Sequence, residues 1–191
     1  MENLDVTVLR ALRDWRLAGK HALMATVVRT WGSSPRPVGS IMALAAGGGV
    51  VGSVSGGCIE DDLIARYTRP DAADAIGPTG APQFVKYGVS ADEAHRFGLP
   101  CGGTLEILIE FDPDAQDLSE LIQAPDTGRL MRRTVNLADG RAALAPTDQP
   151  AQLDIGASEL VNTFGPEYRM LLIGAGQLGE YLATMALFSG F

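Results

Sequence analysis

A chain of 191 residues, 46% hydrophobic and 20% charged, has the length and composition for a packed globular core. Its formal net charge of −8 argues against a nucleic-acid or anionic-membrane surface, which needs concentrated Lys and Arg, while leaving room for a local phosphate site built from backbone N–H groups. Two cysteines, no export leader and no apolar run of roughly 18 residues read as a cytoplasmic protein with free thiols and no bilayer span, a Cys58–Cys101 disulfide being the minor reading.

Leu4, Val8, Leu12 and Trp15 recur at helical spacing and predict a helix over residues 4–18, ended by Gly19. The β-branched run from His21 to Thr30 predicts a buried strand. A loop with two prolines follows, Trp31 to Ser40, and then a hairpin, Ile41–Ala45 and Val50–Val54 around Gly47-Gly48-Gly49. Cys58 opens a helix reaching about Arg66. Residues 82–89 read as a strand, and Ser90 to Glu93 start a short helix with a capping-box pattern. Thr104–Phe111 alternates Leu and Ile with Glu106 and Glu110, which places the two acids on the polar face of a strand. A short amphipathic helix falls between Asp112 and Pro125, and residues 130–145 form a hairpin turning at Asp139-Gly140. Pro146, Pro150 and Pro166 mark 146–166 as a linker.

The last segment reads differently. Arg169–Ile173 is a short buried strand, followed by Gly174-Ala175-Gly176-Gln177-Leu178-Gly179 and an apolar helix from about Gln177 to Phe188. Strand, G-x-G-x-x-G and helix in that order form the dinucleotide-binding fingerprint, with Gly174 for the turn, Gly176 for approach of a pyrophosphate and Gly179 for close helix packing. The sequence ends twelve residues after Gly179, before the second parallel strand such a unit needs. The expectation is therefore a truncated chain with an incomplete Rossmann-like domain. The fold class is α/β: an N-terminal α+β domain over 1–112, a helix, hairpin and linker over 113–166, and the first strand, glycine turn and helix of the dinucleotide-binding domain over 167–191.

Both cysteines sit beside a glycine pair, in mirrored order: Gly56-Gly57-Cys58 and Cys101-Gly102-Gly103. Bare neighbours let a ligand or a second backbone approach the sulfur closely. Two readings stand for each cysteine. Cys58 is a soft ligand or a small buried residue. Cys101 faces the same pocket, or its glycines serve a turn. Arg36, held between Pro35 and Pro37, is placed to grip a phosphate or oxyanion with Ser33 and Ser34 adding hydroxyls, or it is a surface arginine on a rigid turn. Glu60 orients a ligand, or it stabilises a first helical turn. Trp31 stacks on a ring system or belongs to the core. His21 and His95 have no metal-ligand spacing.

The run from Ala25 to Ser40, the segments Gly52–Glu60 and Leu99–Gly103, and the turn Gly174–Gly179 together resemble the XdhC/CoxI family of maturation factors for molybdenum hydroxylases. The resemblance implies no catalytic residue. It implies a chaperone that binds the molybdenum cofactor transiently, as molybdopterin or its cytosine dinucleotide. Such a chaperone supports sulfuration by a cysteine desulfurase, delivers the cofactor to an apo molybdenum hydroxylase of the xanthine dehydrogenase type, and is compatible with a homodimer. Under that implication Ser33, Ser34, Arg36, Gly56, Gly57, Cys58, Glu60, Cys101, Gly102, Gly103, Gly174, Gly176 and Gly179 line the cofactor, with Cys58 and Cys101 as candidate molybdenum contacts. Gln177 departs from the pattern, standing where many members carry His. An NAD(P)-dependent oxidoreductase using the C-terminal fingerprint, and a docking subunit without cofactor, are the alternatives.

Overall fold

The computed structural model describes residues 4–32, 34–68, 80–88, 103–126, 128–166 and 170–189. The helix expected over Ser90–Glu93, together with Ser33, His95, Cys101 and Gly102, lies outside them. The described residues form a mixed α and β architecture with two antiparallel sheets and four helices. The fold class read from the sequence is borne out at that level.

Helix α1 (Leu4–Leu17) buries Val6, Val8, Leu9 and Leu12 on one face. It ends where expected. The Gly19 N–H bonds the Arg16 carbonyl and the Lys20 N–H reaches back to Trp15, the paired bonds of a Schellman motif. Strands β1 (Ala22–Trp31), β2 (Ile41–Ala45), β3 (Val50–Gly52), β4 (Gln83–Tyr87) and β5 (Thr104–Phe111) make the first sheet in the order β3-β2-β1-β5-β4. Helix α2 (Cys58–Tyr67) covers one face of it, packing Ile59, Leu63 and Tyr67 against Leu23, Ala25, Val27, Ile107 and Ile109.

The other face is buried too, because period-two alternation sends Ala22, Met24 and Ala43 the opposite way. Helix α1 and helix α3 (Ala115–Asp126) cover that side. The Asp114 carboxylate caps α3 by accepting the N–H groups of Gln116 and Asp117 at 2.8 and 3.1 Å. The second sheet, β6 (Leu130–Asn136), β7 (Ala142–Thr147), β8 (Asp154–Ile155) and β9 (Glu159–Phe164), runs in the order β7-β6-β9-β8. It stacks on the first through Val28, Leu108, Val135 and Leu160.

Three expectations are corrected here. Residues 146–166 are not simply a linker, since they hold the end of β7, all of β8 and all of β9. Pro146 is tolerated because β7 is an edge strand, where a missing N–H costs no ladder bond. Glu110 is not on a solvated polar face. The second sheet covers it, and Arg133 from β6 meets it with two hydrogen bonds, 3.1 and 2.7 Å, each side chain 3% exposed. The strand expected at 169–173 is not formed by residues 170–173, where Leu171 and Ile173 are 84% and 92% exposed. A strand is held by hydrogen bonds to a neighbour, and among the described residues none pairs there. Helix α4 (Gln177–Phe188) does form after the glycine turn, with Leu178, Tyr181 and Met185 exposed.

Candidate functional site

Strand directions decide which motifs meet. Strand β1 runs up to Trp31, β2 starts beside it at Ile41, β3 rises to Gly52, β4 rises to Tyr87 and β5 starts at Thr104. The Trp31–Ser40 loop, the Ser53–Gly57 loop and the approach to β5 therefore all leave the same edge of the first sheet. Gly103 is buried at the entrance of β5, and the Thr104 hydroxyl donates to the Gly88 carbonyl at 3.0 Å, tying the ends of β4 and β5 together.

The Ser53–Gly57 loop is organised by one carboxylate. Glu60, in the first turn of α2 and 8% exposed, turns back on the loop that precedes it. One oxygen accepts the Ser53 hydroxyl and the N–H groups of Val54 and Ser55, each at 2.8 Å. The other accepts the Ser55 hydroxyl and the Gly57 N–H, the latter at 2.7 Å, and the Gly56 N–H lies at 3.2 and 3.4 Å from the two oxygens. Burial raises the affinity of this carboxyl for its proton, but the hydrogen bonds from Ser55 and Ser53 outweigh it and hold the group down at about 2. Of the two roles read for Glu60, the structure gives it the stabilising one and extends it over the whole loop. Ser53 and Ser55 were missed as site residues, although the Ser-x-Ser-Gly-Gly run before a Glu at N3 is the signal that finds them.

Gly56 and Gly57 have φ of 127° and 148°, outside the range that side-chain-bearing residues favour. Among the described residues, a Cβ added to either would meet no atom within 4 Å. The glycines thus shape the loop by their backbone angles and not by close packing. Cys58 follows at the first position of α2 as an exposed free thiol, so the small-buried-residue reading does not hold.

On the neighbouring loop the Ser34 hydroxyl donates to the Arg36 carbonyl at 2.8 Å. This turn leaves the half-buried Arg36 guanidinium without a hydrogen bond or ion pair to another described residue. A bulge between Val27 and Arg29 shifts the β1–β5 register and re-aims the end of β1. Arg29 then pairs with Glu106 at 2.8 Å, and the Lys86 ammonium sits 4.4 Å from the centre of the Trp31 ring. One face of Trp31 is taken by that cation.

A cleft of about 840 Å³ lies on the second-sheet side, lined by Trp31, Ser40, Leu153 and Asn162 among others. It does not include Cys58, whose helix covers the opposite face of the sheet. Gly174, Gly176 and Gly179 make the turn into α4, with the Gly179 N–H on the Gly176 carbonyl at 2.9 Å, and the strand that would place this turn beside a sheet is not paired. Among the described residues no group of three or more His, Cys, Asp or Glu could hold a metal ion. None of their helices is long and apolar enough to cross a membrane.

The fold and the edge define a mixed α/β protein that presents one cysteine from a carboxylate-held, glycine-shaped loop beside an arginine loop. Residues 15–88, which contain both loops, match the XdhC and CoxI family, and the resemblance read from the motifs is borne out over that stretch. The molybdenum cofactor insertion chaperone PaoD of Escherichia coli strain K12 is 26% identical over 187 residues, covering 97% of this chain and 55% of that protein. A Bacillus subtilis strain 168 protein, described as a probable subunit of xanthine dehydrogenase, is 21% identical over 197 residues, covering 90% and 58%. Among solved structures, a xanthine dehydrogenase from Bacillus halodurans shares the fold, with a TM-score of 0.56, 21% identity and coverage of 86% and 53%. The chain spans about half the length of these relatives.

Proposed function

We propose that this chain is a molybdenum cofactor chaperone, with the cofactor as its cargo. In this reading it holds the cofactor at the edge formed by the two family loops, shields it during sulfuration by a cysteine desulfurase, and delivers it to an apo molybdenum hydroxylase of the xanthine dehydrogenase type. The observation that carries the reading is the exposed Cys58 thiol beside Gly56 and Gly57, where no described atom crowds an added Cβ, inside the segment that matches the family. The name of the Escherichia coli relative supports the cargo, and that of the Bacillus subtilis relative supports the client class.

The residues fit such a cargo chemically. The molybdopterin form of the molybdenum cofactor brings a metal centre bound through dithiolene sulfur and an anionic phosphate tail. Cys58 supplies a soft donor on a loop that the Glu60 carboxylate fixes in place. Arg36 supplies a guanidinium not engaged by another described residue, suited to an oxyanion or phosphate. Cys101 and Gly102, which directly precede the buried Gly103 in sequence, are proposed to complete the same edge. No proton-transfer or nucleophilic step is assigned to any of them, in keeping with a maturation factor that carries out no catalysis.

Transfer is the test. The chain is loaded with sulfurated molybdenum cofactor, freed of excess ligand and mixed with an apo xanthine dehydrogenase-type hydroxylase in the presence of a scavenger for free cofactor. The reading predicts hydroxylase activity well above that from the same amount of free cofactor. Activity no greater than the free-cofactor control refutes it.

A further inference from the structure

Backbone N–H groups converging ahead of a helix N-terminus ordinarily make an anion site, and a glycine pair there suggests a phosphate. In this chain that place is already filled. The N–H groups of Val54, Ser55, Gly56 and Gly57 and the hydroxyls of Ser53 and Ser55 all converge on the carboxylate of Glu60. The anion is internal and buried.

We infer that Glu60 is a positioning residue: its carboxylate fills the anion nest before α2, fixes Ser53–Gly57 so that the Cys58 thiol stays exposed, and leaves the loop no capacity to bind a phosphate. The inference rests on the reading of Cys58 as a cargo contact, and it narrows what that contact is. The cargo meets this loop through sulfur and through the space over the glycines. Its phosphate is held elsewhere, and Arg36 on the adjacent loop is the described cation suited to it. Among the described residues no atom lies within 4 Å of a Cβ added at Gly56 or Gly57. The charge pattern is consistent with this division, because a phosphate at the glycine pair would be placed directly against the Glu60 carboxylate.

The test uses the whole chain as wild type, Glu60→Ala, Glu60→Asp and Glu60→Gln, each checked for a cooperative melt. Alkylation of Cys58 by iodoacetamide is followed by peptide mass spectrometry, which reads this thiol separately from Cys101. The expected result is alkylation at least tenfold faster in Glu60→Ala, with acetate returning it toward the wild-type rate by entering the vacated nest. Glu60→Asp retains a carboxylate and should fall between the two. Acetate should leave the wild type and Glu60→Gln unchanged. Phosphorus NMR of inorganic pyrophosphate should show saturable broadening with Glu60→Ala, and none with an Arg36→Ala chain that keeps Glu60.

A folded Glu60→Ala that alkylates at the wild-type rate overturns the inference, as does pyrophosphate bound by an Arg36→Ala chain with Glu60 intact. If Glu60→Ala does not fold, the same comparison between Glu60→Asp and Glu60→Gln decides, with equal rates counting against it. Molybdenum retention separates this from the functional reading. If Cys58→Ala keeps its molybdopterin, the cargo contact is wrong, while the alkylation and acetate results still decide the role of Glu60. If Cys58→Ala and Glu60→Gln each lose it, a Cys58→Ala/Glu60→Gln chain should lose no more than Cys58→Ala alone.

Discussion

Replacing Glu60 with Gln removes one charge and hardly alters size, so its effect on stability should depend on pH in a way fixed by the loop. The folded carboxyl ionises at about 2 against an ordinary value of 4.5. At about 1.4 kcal/mol for each tenfold change in proton affinity, that difference favours the ionised folded state by on the order of 3 kcal/mol. Because the folded value is the lower one, this stabilisation is complete above pH 4.5 and is lost as pH falls toward 2. Urea unfolding of wild type and Glu60→Gln at closely spaced pH values between 2 and 7 measures it. Other acids titrate in both chains, so the difference between the two curves isolates Glu60. The substitution should cost about 3 kcal/mol at pH 7, less with each step below pH 4.5, and almost nothing near pH 2. A cost that stays the same from pH 7 to pH 2 would refute the idea that an ionised carboxylate holds the loop.

Three further outcomes follow from the same geometry. Arg133→Met should destabilise by about 3–5 kcal/mol because it strands the buried Glu110 carboxylate, whereas Glu110→Leu with Arg133→Met should return near wild-type stability in a urea melt. Gly57→Ala should cost about 1–3 kcal/mol through backbone conformation, since its Cβ meets no described atom, and should also speed Cys58 alkylation. Lys86→Gln should cost less than about 1 kcal/mol yet change the Trp31 fluorescence, because it removes the ammonium from the ring face.

Much of the first sheet was legible because its strands carry their own signals. The β-branched run before Trp31, the glycine hairpin and the apolar Thr104–Phe111 segment each declared a strand, and helical spacing declared α1. The second half was harder to read for a physical reason. Strand β9 buries Leu160, Asn162 and Phe164, but its polar Asn and Thr hide the alternation, and the prolines around it look like punctuation when one of them merely occupies an edge. The 170–173 segment misled in the other direction, since apolar content alone does not make a strand without a neighbour to hydrogen-bond. At the site, sequence found the cysteine, the glycines and the glutamate but not their relation. The carboxylate reaching back to six donors depends on a loop conformation that residue types do not display. Glu110 illustrates the same limit, because an acid in an alternating strand reads as solvent-facing until a second sheet brings Arg133 to it.

The central claim is that Cys58, presented by this loop, contacts a molybdenum cofactor. Its most direct test is the molybdenum retained after gel filtration by wild type and Cys58→Ala, each first incubated with the molybdenum-loaded cofactor and each shown to melt cooperatively. The wild type should keep close to one molybdenum per chain or per assembled site, and Cys58→Ala should lose most of it. Equal retention by the two chains would contradict the account.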